Sequence, residues 1–109
     1  MDRDDLSRRL ISALQPLDPE KVILFGSYAR NEADEESDVD LYIASKENFI
    51  PATFAENMLH YKKYTRVLKE LKRLVPMDVI VHTRPMNQMF EDGNSAFSRE
   101  ILRTGERLL

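Results

Sequence analysis

The chain contains no cysteine, which excludes disulfides and thiolate metal sites and fits a reducing, cytoplasmic setting. It has no apolar run approaching the roughly 18 residues that a membrane-spanning helix needs. Residues 1–10, MDRDDLSRRL, are charged and lack the apolar segment of a secretory signal. Positive charge is not in excess: the net charge is −3 and the pI about 5.4, so the overall basic footprint of a nucleic-acid-binding domain is missing. Internal repeats, low-complexity tracts and an evident linker are also lacking. What is there is a chain of 109 residues, 42% of them hydrophobic, enough for one modest core and a single domain over residues 1–109. A chain of this size buries only about two-thirds of its unfolded surface, which leaves room for a partner subunit, homo- or hetero-oligomeric.

Apolar residues alternate between two periods. Leu6, Leu10, Ile11, Leu14 and Leu17 recur at helical spacing after aspartates that suit a helix N-terminus, and Pro16 and Pro19 close that helix. Lys21 to Phe25 is a short buried-strand run ended by Gly26-Ser27. From Asp38 to Ala44 the pattern alternates, with Val39, Leu41 and Ile43 on one face and Asp38, Asp40 and Tyr42 on the other. Residues 45 to 58 read as a loop or short irregular helix with Pro51 as breaker. Tyr61, Tyr64, Val67, Leu68, Leu71, Leu74 and Val75 form the stripe of a helix over about 56–75, stopped by Pro76. Met77 to His82 is a third strand, with Asp78 and Ile80 opposite Met77, Val79 and Val81. Pro85 and Gly93 punctuate the stretch beyond that strand. A last helix carries Phe97, Ile101 and Leu102 and ends near Gly105. The expected class is α/β (α+β), a small β-sheet flanked by helices.

Three aspartates stand out. Residues i and i+2 of a strand share a face about 7 Å apart, so Asp38 and Asp40 can converge, and Asp78 completes a triad if its strand pairs beside theirs. Like charges about 4 Å apart at an effective dielectric near 20 repel by roughly 4 kcal/mol per pair, so such a cluster calls for a cation. Oxygen ligands without cysteine or nearby histidine suit Mg²⁺ or Mn²⁺ rather than Zn²⁺. Gly26 lets backbone approach a ligand closely, and Ser27 adds a hydroxyl and an amide. If a helix begins near residue 28, its free amides point at the same place and suit phosphate. Taken singly, a Gly-Ser turn is usually only a turn, Asp-x-Asp usually a solvated strand face, and Asp34-Glu35-Glu36 a solvated loop.

The conjunction is more specific. Gly26-Ser27, ten intervening residues and Asp38-Val39-Asp40, flanked by apolar strands, resembles the signature of the nucleotidyltransferase superfamily typified by DNA polymerase β. Ala29-Arg30 and Ser37 sit where that superfamily usually has them, and Asp78-Val79-Ile80 matches its third-carboxylate strand. Ile101 with Gly105-Glu106 is similar to its final helix. Asn31 departs from the glycine usual there, although Asn tolerates positive φ better than most residues. The length is that of the minimal members.

The resemblance implies a polymerase β-like core in which Asp38, Asp40 and Asp78 hold two Mg²⁺ ions (or Mn²⁺) and are the catalytic residues. Gly26, Ser27 and Ser37 are the implied nucleotide-binding residues, and Lys72 joins them as a nucleotide-binding candidate by its position on the helix rather than by the resemblance. The implied reaction passes a nucleoside monophosphate, AMP from ATP, to an acceptor hydroxyl and releases pyrophosphate. Many minimal members resemble the antitoxin half of a toxin–antitoxin pair, whose partner is a helical HEPN-domain protein that receives AMP on a tyrosine. The alternative is a non-catalytic module that neutralises a partner by contact alone.

Lys62, Arg66, Lys69 and Arg73 are spaced 4, 3 and 4 and form a narrow basic stripe, a solvated face by default and otherwise a contact for an acidic partner or RNA. Lys63 and Lys72 flank it nearer the core, within better reach of a triphosphate. His60 and His82 have no metal-spaced companion and read as structural or exposed. Met86, Met89 and Phe90 read as core or interface. Tyr28 and Tyr42 lie near the proposed site, and Tyr42 either packs on a base or covers the sheet.

Overall fold

The computed structural model describes residues 1–34 and 37–109; the solvated-loop expectation for Glu35 and Glu36 lies outside them. Asp2 caps the first helix, α1 (Arg3–Leu14), by accepting from the Asp5 amide, and Pro16 sits in a 3-10 turn, Gln15–Leu17, that ends it. Strand β1 (Lys21–Phe25) comes next, then β2 (Val39–Ala44), helix α2 (Phe54–Thr65), a 3-10 segment (Arg66–Leu68), α3 (Lys69–Leu74), β3 (Met77–His82), α4 (Arg84–Asp92), α5 (Ala96–Thr104) and a two-residue strand β4 (Glu106–Arg107). The sheet order is β3-β2-β1-β4. Strand β1 pairs antiparallel with β2 and β4, and β2 pairs parallel with β3. The result is a mixed four-stranded sheet flanked by helices, the α/β class that the periodicities indicate.

Strand alternation places the core as expected. Val39, Leu41, Ile43 and Val81 join Leu6, Leu10, Leu14, Tyr64 and Leu68 on the face covered by α1, α2 and α3. Ile23, Tyr42, Ala44 and Ile101 form a second cluster on the other face, with Phe25, Ile80 and Phe90 packed against it. Both faces are covered, so β1 and β2 read as nearly continuous apolar runs.

Several boundaries differ from the sequence reading. The helix expected over 56–75 begins at Phe54, because Thr53 accepts from the Glu56 amide while Glu56 accepts from the Ala52 amide. It is also interrupted: the overwound stretch at Arg66–Leu68 separates α2 from α3, and the turn rotates Val67 (39% exposed) and Leu74 (63% exposed) out of the apolar stripe. Pro85 does not break the chain but occupies the first turn of α4, where its missing N–H costs nothing. Residues 28–31 form a turn rather than a helix. Asp38 lies just before β2. Strand β4, too short for any pattern to reveal, edges β1. Gly105 makes it possible: a Cβ there would stand 2.4 Å from the Ile101 carbonyl oxygen and 2.5 Å from Ile23 Cγ2.

Candidate active site

The three aspartates meet at one end of the sheet. Asp40 pairs in register with Phe25 of β1 on one side and with Asp78 of β3 on the other. In-register residues of a parallel pair share a face, with strands about 4.8 Å apart, and Asp38 lies two residues before Asp40. Asp38 and Asp78 are exposed, whereas Asp40 is half-buried. Burial first, then the negative charges of Asp78 and Asp38, raise the Asp40 pKa above the usual carboxylate value; Arg30 acts in the opposite sense. Among the described residues no group of three or more His, Cys, Asp or Glu side chains is placed to hold a metal ion as it stands; Asp40 and Asp78 are in register, but the three side chains are not gathered on one point.

Strand β1 ends beside Asp40. Gly26 takes φ +76°, and a Cβ there would stand 2.2 Å from Asp40 Oδ2, so both its conformation and the neighbouring carboxylate require glycine. The turn after Gly26 is closed by the Arg30 amide donating to Gly26 O at 3.2 Å and the Glu32 amide donating to Ser27 O at 2.8 Å. Asn31 takes φ +57°, so the left-handed position survives the exchange of glycine for asparagine. Among the described residues the amides of Ser27, Tyr28 and Ala29 have no backbone acceptor, and the half-buried Ser27 hydroxyl has no side-chain or backbone partner. Such orphan donors are what the first turn of a helix offers an anion, and here a turn supplies them.

The remaining sequence candidates are placed differently. The Ser37 hydroxyl donates to Asp34 Oδ1 at 3.2 Å and accepts from the Asp34 amide at 3.0 Å, which shapes the loop before β2. Lys72 lines a groove with Lys62, Thr65, Arg66 and Lys69, none of them a residue of the carboxylate end. Lys63 pairs with Glu47 at 3.2 Å. Tyr28 is buried in the main core. Tyr42 is not available to a base: it is 1% exposed, donates to Asn87 Oδ1 at 2.7 Å, lies 3.0 Å from His82 Nδ1 and stacks on Phe90. Burial pushes its pKa up. His60 and His82 are structural rather than exposed, His60 lying 2.8 Å from Ser45 Oγ and 2.9 Å from Glu47 Oε2. Phe90 packs in the core, while Met89 is exposed.

Arg30 is the residue that spacing alone did not single out. Among the described residues it is the one cation whose charge bears on Asp40, and it also approaches Glu32 at 3.1 Å and Glu100 of α5 at 3.7 Å. The Ala29-Arg30 pair within the motif was the available signal.

Comparison with known proteins bears on this geometry. A family model described as a nucleotidyltransferase domain matches residues 7–102. Two proteins of Methanocaldococcus jannaschii, each named "Putative protein adenylyltransferase", are similar in sequence. One is 68% identical over 28 residues, covering 26% of this chain and 28% of its own length. The other is 32% identical over 63 residues, covering 58% and 55%. The chain thus matches about a quarter and about half of the lengths of these relatives. Among solved structures, a toxin–antitoxin crystallised with AMP-PNP superposes with TM-score 0.58 at 16% identity, covering 94% of this chain and 72% of that one. A mutant MntA-HpeT toxin–antitoxin superposes with TM-score 0.55 at 14% identity, covering 94% and 71%. At these identities the superpositions show a shared fold.

Proposed function

Because the chain belongs to the nucleotidyltransferase domain family, we propose that it transfers AMP from ATP to an acceptor hydroxyl with release of pyrophosphate, as a single catalytic domain working in the cytoplasm. The observation that carries this reading is the register of Asp40 with Asp78, with Asp38 two residues away and Gly26 pressed against the Asp40 carboxylate. The adenylyl group and the protein acceptor are supported by the names of the two sequence relatives. A nucleoside triphosphate and a protein partner are supported by the fold neighbour crystallised as a toxin–antitoxin with AMP-PNP. We take the partner to be a helical HEPN-domain toxin, as the sequence resemblance implies.

The donor chemistry suits a divalent cation, whose binding would have to draw the three aspartates together. Asp40 bears the like charges of Asp78 and Asp38, which Arg30 offsets only in part, and the donors are hard oxygens with no cysteine in the chain. Asp38, Asp40 and Asp78 would hold Mg²⁺, or Mn²⁺ in its place. Such ions neutralise the phosphates and favour ionisation of the acceptor hydroxyl.

The chain's own groups account for the rest. The free amides of the Ser27–Ala29 turn and the Ser27 hydroxyl hold the terminal phosphates and orient the nucleotide. Phosphate at this turn places the α-phosphorus beside the carboxylate edge of β2 and β3. Asp78, the more exposed carboxylate of the register pair, takes the proton of the acceptor hydroxyl as it attacks the α-phosphorus. A new P–O bond forms at the acceptor, the α–β bridge breaks, and pyrophosphate carries off the electron pair. The experiment uses ATP labelled at either the α- or the γ-phosphorus, with Mg²⁺ and a candidate partner protein. Label retained on the partner from α- but not γ-labelled ATP supports the reading. Retention from γ-labelled ATP, or from neither with the cognate partner present, overturns it.

A further inference from the structure

The basic stripe of the helical region is not the one that uniform helical pitch predicts. At 100° per residue, Arg73 lies about 20° from Lys62 around the axis and Lys72 about 80° away. The 3-10 segment Arg66–Leu68 winds at 120° per residue. It advances everything beyond it by about 60°, bringing Lys72 to about 20° from Lys62 and sending Arg73 to about 80°. The contacts agree: Lys62, Thr65, Arg66, Lys69 and Lys72 line one groove of about 330 Å³, while Arg73 pairs with Glu70 at 3.3 Å.

Among the described residues none of the groove's four cations has an ion-pair or hydrogen-bond partner, whereas Lys21, Arg30, Lys46, Lys63, Arg73 and Arg84 are each paired. Four unpaired cations in one row, on a protein of net charge −3, repel one another and gain from a complementary partner. We propose that this groove is the docking site for an acidic helix of a partner protein. Its cations recur one helical turn apart over about 16 Å, the repeat at which a facing helix presents carboxylates. Nucleic acid fits less well. Among the described residues no aromatic side chain lines the groove, so it lacks the stacking platform that holds single strands. A long polyanion would also meet the repulsion of a chain whose overall net charge is −3.

The test needs no nucleotide, so it stands or falls separately from the transfer reaction. Anisotropy measures binding of the whole protein to a labelled helical peptide with glutamates one turn apart, and to a short single-stranded RNA. The expected result is peptide binding that weakens at least about tenfold in the Lys62→Glu/Arg66→Glu/Lys69→Glu variant and returns when the peptide glutamates are replaced by lysine. All three residues are exposed, so circular dichroism should be unchanged; the Lys62→Gln/Lys69→Gln pair, expected to weaken binding less, serves if it is not. Three results overturn the proposal: no peptide binding at low salt, binding indifferent to the substitutions, or tighter binding of RNA lost in the same variants.

Discussion

The Asp40 carboxylate occupies the space that a side chain on Gly26 would need, with Oδ2 2.2 Å from where a Cβ would be built. Gly26→Ala therefore faces two costs. Its φ of +76° strains any L side chain by about 1 kcal/mol or more, and relief of the clash must move Asp40. A displacement of that kind near 1 Å costs on the order of 10²-fold in rate. The variant should melt below the wild type and lose at least that factor in labelled-AMP transfer, both measured on one preparation.

Asp40→Asn separates chemistry from folding. Burial, then Asp78 and Asp38, raise the Asp40 pKa in the folded state. The fold therefore holds a proton that the unfolded chain releases, and stability falls as pH rises from the ordinary Asp value through the raised one, staying lower at neutral pH. Removing the charge should leave the melting temperature at pH 7 equal to or above wild type, while transfer drops to background. Mg²⁺ should raise the melting temperature of the wild type and not of the variant. Melting well below wild type would show Asp40 to be structural.

Tyr42→Phe examines the buried continuation of the same strand face, two residues beyond Asp40. Loss of the hydroxyl leaves Asn87 Oδ1 without its donor and removes the contact to His82 Nδ1, at a cost of about 1–3 kcal/mol. Denaturant unfolding should show that loss. Calorimetric titration with Mg-ATP should show unchanged affinity; a weakened affinity would return Tyr42 to the nucleotide site.

The histidines set an acid limit. Burial lowers the pKa of His60, with Lys63 adding to the effect and Glu47 opposing it; burial and then His60 lower that of His82. Both take up a proton less readily in the fold than in the unfolded chain, which titrates near 6.5. Stability should be complete above that pH and decline as pH falls through it. Melting curves between neutral and mildly acid pH would show the decline, which His60→Gln should make shallower.

Much of this was legible in the chain. Alternation in β2 and β3 put Asp40 and Asp78 on the face opposite Val39 and Val79, and Gly26-Ser27 marked the end of β1, because strand period and turn chemistry are local. Thr53 with Glu56 was a readable capping pair for α2 that the mixed composition around Pro51 obscured. What escaped depended on distant packing. Tyr42 is buried because Phe90 of α4 and Ile101 of α5 cover its face, and no local pattern reports which face a later helix will take. Lys72 and Arg73 exchanged places because a 3-10 segment cannot be seen in a stripe read at constant pitch.

The parallel pairing of β2 with β3 has a consequence for the order of events in folding. β1 and β2 are close in sequence and antiparallel, so Gly26 can meet Asp40 early, whereas Asp78 arrives only when α2 and α3 have been laid down as the crossover between parallel neighbours. Long-range pairings of that kind pay loop-closure entropy before they return any contact. Asp78 is thus the carboxylate whose placement depends on the long crossover, while Asp38 and Asp40 come with the local β1–β2 hairpin pairing. The full set of three aspartates is a property of the completed sheet, assembled when the edge strand β3 docks on β2.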